Sequence, residues 1–205
     1  MSEISASGFT GVFTLKVYND PDLYAFAGRL AGLGYSVAQI KLSGGTGYLY
    51  IPLDGNGSFA KKNLIDVYYQ PKTFTVVSED VSNFVLGSGE LIRALRESGV
   101  SNIDYAEINI TAVRVINGLS FSFNTWNVRG ITLSRGSVDD KRYEQISVTR
   151  INDQLSRYLI SYYLRSDYED ISPVFHNIPQ KISEIVDEIV NFYKKTFIVE
   201  KELEK

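Results

Sequence analysis

Two runs of alternating apolar and polar residues flank the dipeptide Asn117-Gly118. Asn-Gly favours a two-residue type I′ turn, because both central residues of that turn need a positive φ. We therefore predict a β-hairpin within residues 103–133. Its register pairs Ile116 with Leu119, Arg114 with Phe121, Ala112 with Phe123 and Ile110 with Thr125. This register places mostly apolar residues on one face, whereas a shift of one residue would mix the two faces. A lone hairpin is only marginally stable, so we expect it to lie in a larger sheet.

The residues before Gly99 predict several strands and two helical regions. Alternation predicts strands over residues 12–18, 35–43, 46–53 and 73–77, and residues 59–69 fit a strand better than a short helix. The cap sequence Asn19-Asp20-Pro21 precedes a helical stripe that Gly32 and Gly34 end. Residues 80–98 are helical in pattern, but Gly87-Ser88-Gly89 interrupts them, so Ser88 is expected to cap a second helical piece.

The residues after the hairpin predict strands, then helices. Alternation predicts strands over residues 131–134 and 143–149, and residues 166–179 are predicted to be a loop. Between the strand at 143–149 and this loop, a helix is predicted from the spacing of the apolar residues Ile151, Leu155, Tyr158, Leu159 and Tyr162. A long amphipathic helix of roughly 35 Å is predicted from about Gln180. Its apolar stripe consists of Ile182, Ile185, Val186, Ile189, Phe192, Tyr193 and Phe197.

The order of these elements predicts the fold class. Helices that stand apart from antiparallel strands favour an α+β fold, with a largely antiparallel sheet, helices packed on one side and a long C-terminal helix. We expect a single domain over residues 1–205, with a division near Gly99 as the alternative.

Composition excludes several kinds of chemistry. The 205 residues contain no cysteine, one histidine, 21 basic and 24 acidic residues, for a net charge of −3. Disulfides, thiol catalysis and thiolate zinc sites are therefore excluded, and no global positive field attracts nucleic acid. No run of 18 apolar residues occurs, so we expect a cytoplasmic protein without a signal peptide or membrane contact.

Two motifs resemble catalytic or cofactor sites. Residues 55–60 match G-x-G-x-x-A, but a dinucleotide site needs a helix opening at that point, and Asp-Gly-Asn-Gly is typical of a turn. His176 could act as a general base near Ser172 and Asp170, yet no nucleophile motif accompanies it. We therefore predict no catalytic residue, no cofactor and no enzyme activity.

Two groups of carboxylates suggest a site for a hard cation, and a third set of acidic and amide residues suggests a nuclease site. Asp167, Glu169 and Asp170 form one group, Asp139 and Asp140 a second, and Asp104, Glu107 and Asn109 a third. Neither of the first two groups has the spacing of a calcium loop, and such runs are usually solvated surface. The third set alternates along a strand, as in some nuclease sites, but it lacks the lysine that a metal-dependent nuclease needs. No metal site is predicted.

One strand resembles an RNA-binding signature. Gly47-Tyr48-Leu49-Tyr50-Ile51 is similar to part of the RNA-recognition motif, in which aromatic residues of a strand stack on bases. Tyr48 and Tyr50 would share a face, as stacking requires. Thr46, Leu49 and Leu53 depart from the signature, so a plain strand with two tyrosines is the alternative.

A second aromatic and basic cluster suggests a protein interface. Tyrosine and arginine are enriched at interfaces, and the long last helix adds an apolar stripe. The predicted interface residues are Tyr158, Tyr162, Tyr163, Arg165, Phe192 and Phe197, with core packing as the alternative.

The opening block Gly-Phe-Thr-Gly-Val-Phe-Thr-Leu-Lys-Val-Tyr at residues 8–18, the chain length and the cysteine-free composition resemble one known family. It is the seventh-subunit family of the archaeal type III-B CRISPR effector, the Cmr complex of antiviral defence. The resemblance implies a non-catalytic accessory subunit that forms a homodimer and docks on other subunits of this ribonucleoprotein. A single-stranded RNA-binding module that uses Tyr48 and Tyr50 is the alternative function.

Overall fold

The computed structural model describes residues 8–42, 48–116, 122–123, 126–152, 156–175, 177–193 and 195. The first strands are β1 (Thr10–Val17), β2 (Ser36–Val37), β3 (Gln39–Leu42), β4 (Tyr48–Ile51), β5 (Ala60–Lys62), β6 (Ile65–Gln70) and β7 (Thr73–Ser78). The later strands are β8 (Ile103–Val115), β9 (Ser122–Phe123), β10 (Trp126–Asn127), β11 (Gly130–Arg135), β12 (Tyr143–Asn152) and β13 (Arg157–Ser166). The helices are α1 (Leu23–Gly32), α2 (Val81–Glu97), α3 (Tyr168–Phe175) and α4 (Ile178–Tyr193).

A nine-stranded antiparallel sheet forms the body of the protein, in the order β11-β12-β13-β8-β1-β7-β6-β5-β2. Strands β3 and β4 form a separate two-stranded sheet, as do β9 and β10. The large sheet continues across Gly99, because β1 from the first half pairs with β8 from the second. The α+β class and the C-terminal helix are therefore confirmed.

The hairpin predicted around Asn117-Gly118 has a different partner strand. Strand β8 is present, but Ile110 pairs with Gly11 of β1 and Tyr162 of β13. The predicted pairing of Ala112 with Phe123 is wrong, since Ala112 lies opposite Ile160 and Phe123 lies opposite Trp126. The Asn-Gly pair itself lies outside the described residues. The local pattern identified the buried face of β8, but tertiary pairing selected its neighbours.

The helix predicted through Tyr158 and Tyr162 is wrong, because these residues lie in strand β13. The side chains of Tyr158, Ile160, Tyr162 and Leu164 are buried and alternate with less buried ones. Their period of two follows from the position of β13 between β12 and β8, where one face of the strand meets the core. Aromatic and β-branched residues also suit a strand better than a helix.

Helix α2 is continuous where an interruption was predicted. Its first turn is capped by Asp80, whose Oδ1 accepts a hydrogen bond from the backbone N–H of Asn83 at 2.8 Å. Gly87 lies against the sheet, and a Cβ atom there would be 2.6 Å from Cγ2 of Ile65. The glycine is thus a point of close approach between helix and sheet, and it does not break the helix.

Three other element predictions needed correction. The side chain that caps α1 belongs to Asp22, which accepts from the backbone N–H groups of Tyr24 and Ala25, and Pro21 precedes this cap. The predicted strand over 35–43 is divided into β2 and β3, which pair with different strands. The predicted loop over 166–179 contains helix α3, which includes Pro173.

The helices contact the same face of the large sheet. The ring of Phe175 in α3 lies 4.7 Å from that of Phe13 in β1, and Phe26 in α1 lies 5.1 Å from Phe74 in β7. Phe84 in α2 packs over Gly11, and in α4 the buried residues are Ile178, Ile182, Ile185 and Ile189. The core therefore lies between this helix layer and one face of the sheet. We expected helices on one side, and the structure confirms it.

Candidate interaction surface

The opposite face of the large sheet carries no helix in the part of the chain that the structure describes. Its residues follow from the registers of the strands, since directly paired residues point to the same side. The helices contact the side of the sheet on which Phe13 and Ile108 lie. The residues one position away along each strand therefore form the second face. We call this second face the helix-free face. It includes Thr14, Thr75, Asn109, Tyr163 and Gln145.

A row of small hydroxyl residues crosses five strands of the helix-free face. Thr132 of β11 lies opposite Ser147 of β12, Ser147 opposite Ser161 of β13, Ser161 opposite Thr111 of β8, and Thr111 opposite Thr10 of β1. We call these five residues the hydroxyl row. None of them is buried. Neighbouring strands lie ~4.8 Å apart, so the row extends over roughly 19 Å at right angles to the strands.

Larger side chains border the hydroxyl row on both sides. One side has Val113 opposite Leu159, and the side chain of Leu159 is exposed. The other side has Asn109 opposite Tyr163, and Tyr163 opposite Gln145. The row is therefore a shallow trough with one aliphatic wall and one wall of amide and aromatic groups.

Several charged side chains of the helix-free face interact with groups of the same chain. Burial and a hydrogen bond with the carboxylate of Glu107 raise the pKa of the Tyr163 phenol to about 12. Glu107 also lies opposite Arg165, whose guanidinium donates to the backbone carbonyls of Val138 and Asp140. Lys61 at the far side of the face forms an ion pair with Asp66 at 3.0 Å. By strand register the face also carries Lys16 of β1 and Arg157 of β13, so its basic side chains outnumber its acidic ones.

Two predicted interface residues, Tyr158 and Tyr162, lie in the core instead. Their side chains are 0% and 2% exposed and face the helix layer. The pKa of the Tyr162 phenol is raised by burial and by the nearby carboxylate of Glu144, and Nζ of Lys181 lies 4.7 Å from the ring centroid. The contact between Tyr162 and Lys181 attaches α4 to the sheet, and burial leaves neither ring a surface for a partner.

The other predicted interface residues lie in different places. Tyr163 and Arg165 are on the helix-free face, where Tyr163 packs at 5.9 Å from the ring of Tyr143. Phe192 is exposed on α4, and Phe197 lies outside the described residues. The sequence thus located two residues of the face, but it missed the hydroxyl row, because that row exists only in the strand order.

Tyr50, one of the two tyrosines predicted to stack on RNA, packs against other residues of the protein. The Tyr50 hydroxyl lies 3.1 Å from the carbonyl oxygen of Tyr69, to which it donates, and the ring meets Phe59 edge-on at 5.3 Å. Its strand pairs only with β3 among the described strands. The side chain of Tyr48 lies outside the described residues. Base stacking by this pair stays a prediction, and the packing of Tyr50 argues against it.

The candidate catalytic and metal-binding residues do not converge where the structure describes them. His176 lies outside the described residues. Asp167 pairs with Lys141 at 2.5 Å, and Asp170 accepts from the hydroxyl of Ser166 at 2.7 Å. The described residues include no group of three or more histidine, aspartate or glutamate side chains arranged for a metal ion. After the G-x-G-x-x-A match the chain continues into strand β5, so the helix that a dinucleotide site needs is missing at that point.

A charged cluster holds the turn between β4 and β5. Nζ of Lys61 lies 2.6 Å from Oδ2 of Asp54, which also receives a hydrogen bond from the buried hydroxyl of Ser58 at 3.2 Å. The backbone N–H groups of Asn56 and Ser58 donate to Oδ1 of Asp54. Donation from Lys61 and Ser58 lowers the pKa of Asp54 to about 2.

We expect Asp54→Asn to destabilise the protein at neutral pH and to have little effect near pH 2. A carboxyl whose pKa is lowered in the folded state stabilises the fold above its unfolded pKa, about 3.8. That stabilisation is lost as the pH falls through about 2. Urea denaturation of both proteins at pH 7 and near pH 2 measures the difference. Asp187→Asn, on the exposed side of α4, is the control. A deficit of equal size at both pH values would contradict the prediction.

A cleft of about 170 Å³ lies at the end of α2. Its lining includes Ile92, Leu95 and Val100 together with the charged residues Arg96 and Glu169. The Arg96 guanidinium lies 5.6 Å from the ring centroid of Tyr168, which orients it towards α3. The cleft has room for several water molecules, but its residues suggest no particular reaction.

The fold and the helix-free face define the class of this protein as an α+β protein with a one-sided helix layer. No model of a known protein family matches the chain, and no curated protein matches it. None of the described helices is long and apolar enough to cross a membrane.

Proposed function

We propose that this chain is a non-catalytic assembly subunit that forms a homodimer and docks on a ribonucleoprotein of the type III-B CRISPR (Cmr) kind. The observation that carries the proposal is the helix-free face, which spans the sheet and bears the exposed Leu159 on one side of the hydroxyl row and the half-buried Tyr163 on the other. One open face is common for an antiparallel sheet, but a broad one with aromatic and aliphatic groups suits protein contact.

Two further observations support the proposal. The charged clusters around Lys61 and around Glu144 link elements of the fold: Lys61 joins β5 to β6 and to the preceding turn, and Glu144 joins β12 to α4. The opening block at residues 8–18 forms β1, a central strand of the sheet. The part of the chain that resembles the Cmr accessory subunit is therefore the part on which the sheet is built.

Light scattering after size-exclusion chromatography tests self-association. We expect a mass of twice 23.0 kDa at tens of micromolar protein. Capture of purified type III-B effector subunits by the immobilised chain tests docking, with an unrelated acidic α+β protein of similar size as the control. A strictly monomeric protein that captures no subunit would contradict the proposed function.

A further inference from the structure

The two halves of the large sheet repeat one strand order, read outwards from the centre. The first half runs β1-β7-β6-β5, with β2 at the edge, and the second half runs β8-β13-β12-β11. In each half the last strand is followed by a helix, α2 after β7 and α3 after β13. Helix α2 contacts β7 and β1, and α3 contacts β13 and β8. The two helices therefore lie in corresponding positions beside the central pair of strands.

The cleft of about 170 Å³ lies where these two halves meet. Its lining comes from α2 and the segment after it, from α3, and from the central strands β1 and β8. Ligand sites occur preferentially at the junction of two structural units. A cavity of about 150 Å³ holds a six-carbon ring, so this cleft has the size for one small organic molecule.

The inner wall of the cleft is apolar. Leu15 in β1 and Leu95 in α2 are 0% and 2% exposed, and Ile92 and Val100 beside them are also buried. An aliphatic group that enters the cleft leaves water and contacts these side chains, which is favourable. The wall therefore selects a ligand with an apolar part.

Two side chains of opposite charge, Arg96 of α2 and Glu169 of α3, line the same cleft. Both are exposed, and neither forms an ion pair with another residue that the structure describes. The acidic residues on either side of Glu169 differ in this respect, because Asp167 and Asp170 both form ion pairs with basic residues. A ligand that carries a carboxylate and an ammonium group supplies the missing partner of each charge.

We infer that this cleft binds a free α-amino acid with an aliphatic side chain, such as leucine. The carboxylate of the amino acid binds the Arg96 guanidinium, its ammonium group binds the Glu169 carboxylate, and its side chain contacts the apolar wall. Charge-assisted hydrogen bonds of this kind are stronger than those between neutral groups. The site goes beyond the proposed assembly role and does not depend on it.

Calorimetric titration of the full chain with leucine tests the inference. We expect leucine to bind, and leucinamide and N-acetylleucine to bind at least ~10-fold more weakly, because each lacks one of the two charges. Glycine should also bind at least ~10-fold more weakly, because it leaves the apolar wall in contact with water. Absence of leucine binding at ~10 mM would overturn the inference.

Two single substitutions assign the charges. We expect Arg96→Gln to lower the affinity for leucine and N-acetylleucine at least ~10-fold and to leave that for leucinamide unchanged. Glu169→Gln should weaken leucine and leucinamide instead. Arg93→Gln, also exposed on α2 but outside the cleft, is the matched control and should change none of the affinities.

Circular dichroism checks that each variant is folded, and all three substituted side chains are exposed. Equal affinity of the parent for leucine and both of its analogues would show that the two charges do not recognise the ligand. Unchanged leucine affinity in both Arg96→Gln and Glu169→Gln would place the binding elsewhere. Either result would overturn the site and leave the proposed self-association and docking standing, because light scattering and subunit capture test those separately.

Discussion

Replacing Phe13 by alanine is expected to lower the free energy of unfolding by about 3–5 kcal/mol. The side chain of Phe13 is fully buried in β1, and its ring meets that of Phe175 edge-on at 4.7 Å. The substitution removes apolar contact and leaves a cavity between the sheet and α3, which the surrounding backbone can close only in part. Urea denaturation of parent and variant measures the loss.

Phe192→Ala is the matched control for this experiment. It is the same change of side chain on α4, but Phe192 is 36% exposed, so we expect a loss of less than ~1 kcal/mol. Equal losses for the two variants would show that the interface between β1 and α3 is not the packed core described above.

Replacing Gly87 by valine is expected to lower the free energy of unfolding by about 3 kcal/mol. A Cβ at this position would lie 2.6 Å from Cγ2 of Ile65 and 3.2 Å from Cγ1 of Val76, and both of those side chains are fully buried. The helix would have to move away from the sheet, because neither neighbour has space to shift. Urea denaturation again measures the effect.

Gly89→Ala in the same helix should have the opposite sign. A Cβ there meets no atom within 4 Å, and Gly89 is exposed. Alanine favours the helix over glycine by up to ~1 kcal/mol, so this variant should be more stable than the parent. Destabilisation by both substitutions would indicate that α2 is interrupted near these glycines, as the sequence pattern suggested.

The wrong helix prediction at β13 shows that the spacing of apolar residues alone does not always distinguish a helix from a strand. Tyr158 and Tyr162 are four residues apart, a spacing that places both on one face of a helix. The same spacing also places both on one face of a strand, together with Ile160 between them. Both readings bury the same tyrosines. Only the neighbouring strands β12 and β8, which leave β13 one face for the core, select the strand.

The candidate surface depended on the structure even more strongly. The sequence placed Tyr163 and Arg165 among the interface residues, and both lie on the helix-free face. It also placed Tyr158 and Tyr162 among the interface residues, because tyrosine is enriched at interfaces, but both side chains are buried in the core. The hydroxyl row could not be predicted, since it depends on the pairing of β13 with β8 and of β8 with β1, strands that lie far apart in the sequence.

The sequence by itself determined the α+β class, the alternating faces of β1 and β8, and the lack of thiol chemistry, because these depend on composition and on neighbouring residues. The tertiary structure decided which strands pair, that α2 passes Gly87 without a break and which face of the sheet stays free of helices. Those features depend on contacts between distant residues, where the energy of burying apolar surface exceeds the local preference of any one segment.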